Sequence, residues 1–384
     1  MAELFEPLET AIRETLIPSL IGRDVSELER RMIALPYRHG GLGIENPTKT
    51  AGREYETSTK VTKKLTEMII NRNMNIMELD MAYFQDTKSK MKLAKENRLK
   101  QKAEIIADAL PDNQRAAFKG AQEKGASVWL SALPLKSLGY SLNKQEFRDA
   151  IKLRYAWEIS DMPRYCACGI PSSVDHTLTC KKGGYVGLRH NRLRDTEALL
   201  MKEVTKDVQI EPMLLPVGEN IQLQPGTTRN AQARLDLSSR GLWSPCERSF
   251  FDVQVSHPNC ASNQGKSLET IYENCEKRKK TKYNDRILQV EKASFSPLIY
   301  TTNGGMGPEC LKVNKKIAER IAEQRKEHYS TVMNHVRTRL RFALLKSVLV
   351  AVRGYRGTER GGEIDISEID FNLIPEERCY ETDI

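Results

Sequence analysis

In the first third of the chain the apolar positions recur at helical spacing. Leu4, Leu8, Ile12 and Leu16 repeat every four residues and predict an N-terminal helix. Ser26-Glu27-Leu28-Glu29 has the form of a capping box, in which the Ser hydroxyl and the Glu carboxylate satisfy free amides at a helix start. Ala51, Tyr55, Ser58, Val61 and Leu65 share one stripe of a helix predicted over roughly 48–70. Residues 77–110 read as one long helix whose middle, 88–102, is nearly all Lys, Arg, Glu, Asn and Gln; this pattern is a linker or solvated arm. Pro111 ends it, and Asn143 with Glu146 marks a further helix start. Gly40, Gly41 and Gly43 around Leu42 read as backbone punctuation, because no Walker lysine follows them.

Beyond residue 188 the period changes. An amphipathic helix over roughly 189–204 precedes two strands, one at 233–237 and one at 249–256, the latter rich in the β-formers Phe and Val. A helix over 268–290, a strand over 295–300 and helices from 310 to 353 follow. This order predicts an α+β chain whose second half is a mixed α/β core with a parallel crossover.

With 384 residues, the chain has room for two or three domains. No run of about 18 apolar residues predicts a membrane span. The start, Met-Ala-Glu-Leu-Phe-Glu-Pro, lacks the pattern of a signal peptide. These features predict a nuclear or cytoplasmic protein whose eight cysteines are thiols or metal ligands before disulfides. The net charge of +9 is unevenly placed. Residues 357–384 hold nine acidic and two basic residues, a net −7, which leaves +16 on residues 1–356. A basic body suits a polyanion partner, and the acidic tail is expected to be disordered.

Two groups of residues carry candidate chemistry. Cys166, Cys168, His176 and Cys180 form a C-x-C-x7-H-x3-C pattern. Thiolate and imidazole are the usual ligands of a structural zinc, whose binding energy would fold so short a segment. His190 is a substitute ligand; Cys246, Cys260, Cys275, Cys310 and Cys379 show no ligand spacing. The second group is Asp236 and Asp252, each inside a predicted apolar strand. A strand-borne carboxylate is costly unless it is paired, hydrogen-bonded or metal-bound, and two on adjacent strands can converge on one Mg2+.

The element order resembles that of restriction-type nucleases, which use two carboxylates for Mg2+ and a lysine near the attacking water. Where such a motif has lysine two places after the second acid, this chain has Gln254. The following helix offers a replacement in Lys279, with Lys280 and Lys282 as rivals, and Glu197 or Glu203 offers a third oxygen ligand.

The whole series is more specific than any one motif. Cys166-Ala-Cys168, His176 and Cys180, then Arg189-His190-Asn191, Arg234-Leu-Asp236, Phe251-Asp252-Val-Gln254-Val, and Lys279 with Tyr283 resemble the C-terminal region of site-specific non-LTR retrotransposon polyproteins. There a zinc knuckle precedes a restriction-enzyme-like endonuclease. The resemblance spans about 165–354, and residues 1–70 are similar to the thumb region of the same elements. It implies a nuclease of PD-(D/E)xK type that nicks target DNA so that the freed 3′ hydroxyl primes reverse transcription. It further implies catalytic roles for Asp236, Asp252, Gln254, Lys279, Tyr283 and His190, with DNA as partner and element RNA as a second candidate. The implied divisions are a thumb-like helical remnant (1–75), a basic helical linker (76–160), the knuckle (161–188), the endonuclease domain (189–356) and the acidic tail (357–384). The family often has Pro before the first acid, where this chain has Leu235. No F/Y-x-D-D signature occurs, so the expectation is the C-terminal third of an element, beginning at an internal Met and lacking a polymerase centre of its own. The alternatives are a non-catalytic nucleic-acid-binding protein and a decayed or domesticated fragment.

Overall fold

The structure is a computed structural model that describes residues 2–71 and 81–354. The acidic segment 357–384, Cys379 and the first residues of the predicted 77–110 helix lie outside the described residues. The helical part begins with α1 (Glu6–Ala11), α2 (Ile17–Ile21), α3 (Glu27–Ile33), α4 (Pro47–Ile70), α5 (Met81–Ala109), α6 (Asp112–Gln122) and α7 (Lys144–Arg154). Then come α8 (Val174–Thr179), α9 (Tyr185–Lys202), β1 (Lys206–Ile210), β2 (Leu237–Arg240), β3 (Arg248–Ser256), α10 (Leu268–Arg286), β4 (Ser294–Thr301), α11 (Pro308–Arg325) and α12 (Tyr329–Arg353). Among the described residues no helix is long and apolar enough to cross a membrane.

Local chemistry sets the helix starts. Both predicted capping boxes form: Ser26 Oγ accepts from the Glu29 amide and Glu29 accepts from the Ser26 amide, and Asn143 and Glu146 repeat the exchange. Asn46 caps α4 through the Lys49 amide. The glycine turn after α3 is fixed by close approach. A side chain on Gly41 would bring its Cβ to 1.9 Å from the Leu35 carbonyl oxygen, and one on Gly40, at φ +91°, would strike the Phe118 ring at 2.4 Å. Arg154 at the end of α7 and Tyr155 just after it donate to the buried carbonyls of Gly41 and Gly40 at 3.1 and 2.9 Å, which clamps the turn onto α7.

The sheet has the order β1-β2-β3-β4. β1 and β3 each run antiparallel to β2, and β4 runs parallel to β3 with Asp252 opposite Pro297. α10 supplies the crossover that the parallel pair requires. Sequence pattern misses β1 because it is an exposed edge strand of mixed polarity, Lys-Asp-Val-Gln-Ile, with an irregular register against β2. The strand expected over 233–237 starts only at Leu237, so Asp236 stands at its mouth and not within it.

Among the described residues two large apolar cores result. One joins α9, the sheet, α11 and α12 through residues such as Leu193, Leu200, Phe251, Val253, Leu298, Val313 and Ile317. The other joins α2, α3, the end of α5, α6 and α7 through Ile17, Ile33, Ile106, Phe118 and Ile151. Residues on both sides of position 75 share this second core. α12 serves both: Val332, Val336, Leu340, Leu344 and Val348 face the sheet core, whereas Phe342, Leu345 and Leu349 face the helical one.

Candidate functional site

The sheet brings the two acids and their neighbours together by backbone register. Asp252 lies mid-strand on β3 and is 6% exposed. Asp236, just before the neighbouring strand, is held by the Val253 amide, which donates to its Oδ2 at 2.6 Å. The first carboxylate is thus tied to the residue directly after the second. His190 of α9 brings Nε2 to 3.1 Å from Asp236 Oδ2 and equally near the Val253 carbonyl. From the other side α10 extends Lys279, whose ammonium forms an ion pair with Asp252.

The electrostatics follow from burial. Loss of water raises the Asp252 carboxyl above its ordinary value; Lys279 pulls it back down, and the Asp236 charge pushes it up again. His190 is raised, first by its hydrogen bond to Asp236, against the opposing effect of burial. An acid with a raised pKa beside a second acid, a lysine and a histidine is an arrangement characteristic of reactive sites.

Of the three rival lysines, Lys279 reaches Asp252. Lys280 pairs with Glu309 at 2.7 Å, and the Lys282 ammonium sits 4.8 Å from the centre of the Tyr283 ring. Gln254 lies on the Asp252 face of β3, where Arg278 donates to its oxygen at 3.0 Å and its amide nitrogen lies 3.1 Å from Cys275 Sγ. Tyr283 is buried in a small cluster with Leu214, Leu235, Phe250 and Phe295, its ring 5.8 Å from that of Phe295. The structure takes Glu197 and Glu203 out of any cation set with the two acids. Glu197 is fully buried and bonded to Tyr300 and Asn314, and Glu203 is paired with Arg325 and Arg339.

The Cys and His residues converge separately. Cys166, Cys168, His176 and Cys180 place their ligand atoms within 4.8 Å of one another, and this set can hold one metal ion. A tight turn brings the first pair round: the Gly169 amide donates to the Cys166 carbonyl at 2.8 Å, with Gly169 at φ +86°. Ser173 then caps α8, which carries His176. Burial opposes the Cys166 thiolate, but hydrogen bonds from the Cys168 amide, His176 and the neighbouring thiols lower it to about 6. Such a thiol is ready to ligate. His190 faces Asp236, so it belongs to the carboxylate site and not to this one.

One link was invisible in the sequence. His257, just past β3, lies 2.8 Å from Asp175 of α8 and 2.8 Å from Thr302 after β4, which fastens the Cys/His segment to the sheet. The partners are 82 and 45 residues apart, and no local motif signals the pairing. A basic groove between α3, α4 and α5 is a second surface feature. Arg31, Lys49, Arg53, Arg98 and Lys102 line it, and burial, then the charges of Arg53, Arg98, Arg31 and Lys49, lower the Lys102 pKa. No protein-family model and no curated protein matches the chain.

Proposed function

We propose that the chain is a metal-dependent DNA endonuclease, the nicking module of a non-LTR retrotransposon-derived protein, with a zinc knuckle beside a nuclease core of PD-(D/E)xK type. The observation that carries this reading is the meeting of Lys279 with Asp252, beside an Asp236 anchored one residue away. The lysine absent two places after Asp252 is supplied from α10 instead. A series of helix, three strands, helix and strand, with the last two strands parallel, supports the same reading.

Asp236 and Asp252 would hold the divalent cation. The donor set suits a hard ion: two carboxylates, with Asp236 Oδ1 receiving no hydrogen bond from any described residue. When bound, Mg2+ supplies Lewis-acid neutralisation of phosphate charge. The residues themselves do the positioning. The Val253 amide and His190 aim the Asp236 carboxylate, while the Lys279 ammonium offsets the burial that raises Asp252 and is placed to orient a water. At the knuckle one ligand-to-ligand edge supports zinc. Tetrahedral bonds of about 2.3 Å to sulfur imply a sulfur–sulfur edge of about 3.8 Å, and Cys166 and Cys180 are 3.8 Å apart.

The test is nicking of supercoiled plasmid in Mg2+. Asp252→Ala is expected to abolish it and leave DNA binding intact. Equal nicking by the wild type and the variant would sink the catalytic assignment. Metal analysis is expected to find about one zinc per chain, because four ligands close one site; a folded, metal-free protein would refute the knuckle. The crowded cations of the α3–α5 groove favour a second reading, a nucleic-acid-binding protein that does not cut. Binding without Mg2+-dependent nicking in the wild type would select it.

A further inference from the structure

We propose that a cavity where the helical layer meets the sheet unit binds one phosphate group, either as the free ion or as a terminal phosphomonoester. The cavity measures about 140 Å³ and lies between α6, α7, α8 and α12, with the loops after β3 and β4 closing one side. None of its lining residues belongs to the Asp236–Asp252 site or the Cys/His set, so the proposal stands apart from the nuclease reading.

Two arginines border it, Arg154 and Arg341, only 8% and 9% exposed. Among the described residues neither has a carboxylate partner. Arg154 is held by neutral acceptors: Ser127 Oγ at 2.6 Å and the Tyr37 and Gly41 carbonyls at 3.0 and 3.1 Å. Its Nε is buried without a partner. Arg341 donates through Nε to the Ala126 carbonyl at 2.9 Å, and its buried Nη1 donates to nothing described. Burial, with the Arg154 charge adding repulsion, lowers the Arg341 guanidinium to about 9. The indole N–H of Trp157, on the same wall, is likewise buried and unsatisfied.

Buried charges in folded proteins are paired, and buried donors are hydrogen-bonded. Here Arg154, Arg341 and Trp157 line a void, and each carries a buried donor that no described residue satisfies. An anion with several acceptor oxygens satisfies all of them, and guanidinium forks match phosphate in geometry and charge. At about 30 Å³ per water, the cavity holds roughly four to five waters, which is room for one tetrahedral oxyanion but not for a length of nucleic-acid backbone. The one carboxylate on the wall, Asp175, is engaged by His257 at 2.8 Å.

The full chain is titrated with inorganic phosphate against chloride at matched ionic strength, and the melting temperature and tryptophan fluorescence are followed. The expected result is a saturable rise in melting temperature with phosphate. Arg341→Met is expected to fold, since an unpaired buried charge gives way to an apolar chain of similar length, and to weaken phosphate binding at least tenfold. Should that variant fail to fold, Trp157→Phe keeps an aromatic side chain, removes the donor and is expected to weaken binding severalfold. Competition separates the sources of the group. Displacement by a 5′-phosphorylated oligonucleotide but not its 5′-hydroxyl twin identifies a nucleic-acid end, and displacement by neither identifies the free ion. Equal displacement by both oligonucleotides, no phosphate-specific shift in the wild type, or an unchanged response in both folded variants would overturn the proposal.

Discussion

Replacing Lys279 with Met tests the electrostatic core of the site without touching either acid. In the native protein the Asp252 side chain is 8% exposed and that of Lys279 is 21% exposed. Removing one partner of a buried pair strands the other, at a typical cost of about 3–5 kcal/mol. The penalty has a ceiling, because the stranded carboxyl can take up a proton. Relative to an unfolded Asp near pKa 3.9, that escape costs about 1.4 kcal/mol per pH unit, or about 5.6 kcal/mol at pH 8 and about 1.5 kcal/mol at pH 5. The sign follows from the raised pKa of Asp252: its favourable contribution is complete below the unfolded value and is lost as pH rises through the folded one. Lys279→Met should therefore lose about 3–5 kcal/mol of stability at pH 8 and no more than about 1.5 kcal/mol at pH 5. Urea unfolding in magnesium-free buffer at the two pH values measures both. Adding Asp252→Asn should restore most of the loss at pH 8. A loss that is equal at both pH values, or one that the second substitution leaves untouched, would refute the claim that Lys279 acts by neutralising Asp252.

The His190–Asp236 contact carries the opposite charge logic. A raised histidine stabilises fully below its unfolded pKa, and the gain disappears as pH climbs through the raised value. His190→Ala should thus cost more stability at pH 5.5 than at pH 8.5, as read by urea unfolding at both; a cost independent of pH would contradict the pairing. Gly41→Ala places a Cβ against the Leu35 carbonyl and should destabilise by more than about 2 kcal/mol through overpacking. Thermal unfolding checks this, and Gly43→Ala, which meets nothing within 4 Å although its φ of +77° is strained, should cost less.

What could be read from the sequence was what short-range chemistry decides. The capping boxes at Ser26 and Asn143 close within four residues, and the Cys/His set closes within fifteen, so spacing alone exposes them. Lys279 was one of three lysines the sequence offered on the helix after β3, and only the packing of α10 on the sheet brings it to Asp252. Helical spacing misleads for Tyr283: one helical turn on from Lys279, it packs into the cluster around Phe295. The N-terminal helical stretch forms, yet Leu4, Leu8 and Leu16 of its regular stripe are exposed, while Ile17, Ile21 and the buried Glu9–Arg30 pair face inward. That choice depends on a partner 21 residues away, which periodicity cannot see. β1 and the His257 link depend likewise on distant partners.

α12 belongs to two interiors at once, its alternate faces closing the sheet core and the helical core. The sheet unit and the helical layer therefore share an element, and cutting the chain before α12 takes wall from both. Excising 189–353 would bare Phe342, Leu345 and Leu349, and ending the chain before 329 would unroof both halves together. A fragment that keeps both interiors covered has to run from α2 to α12.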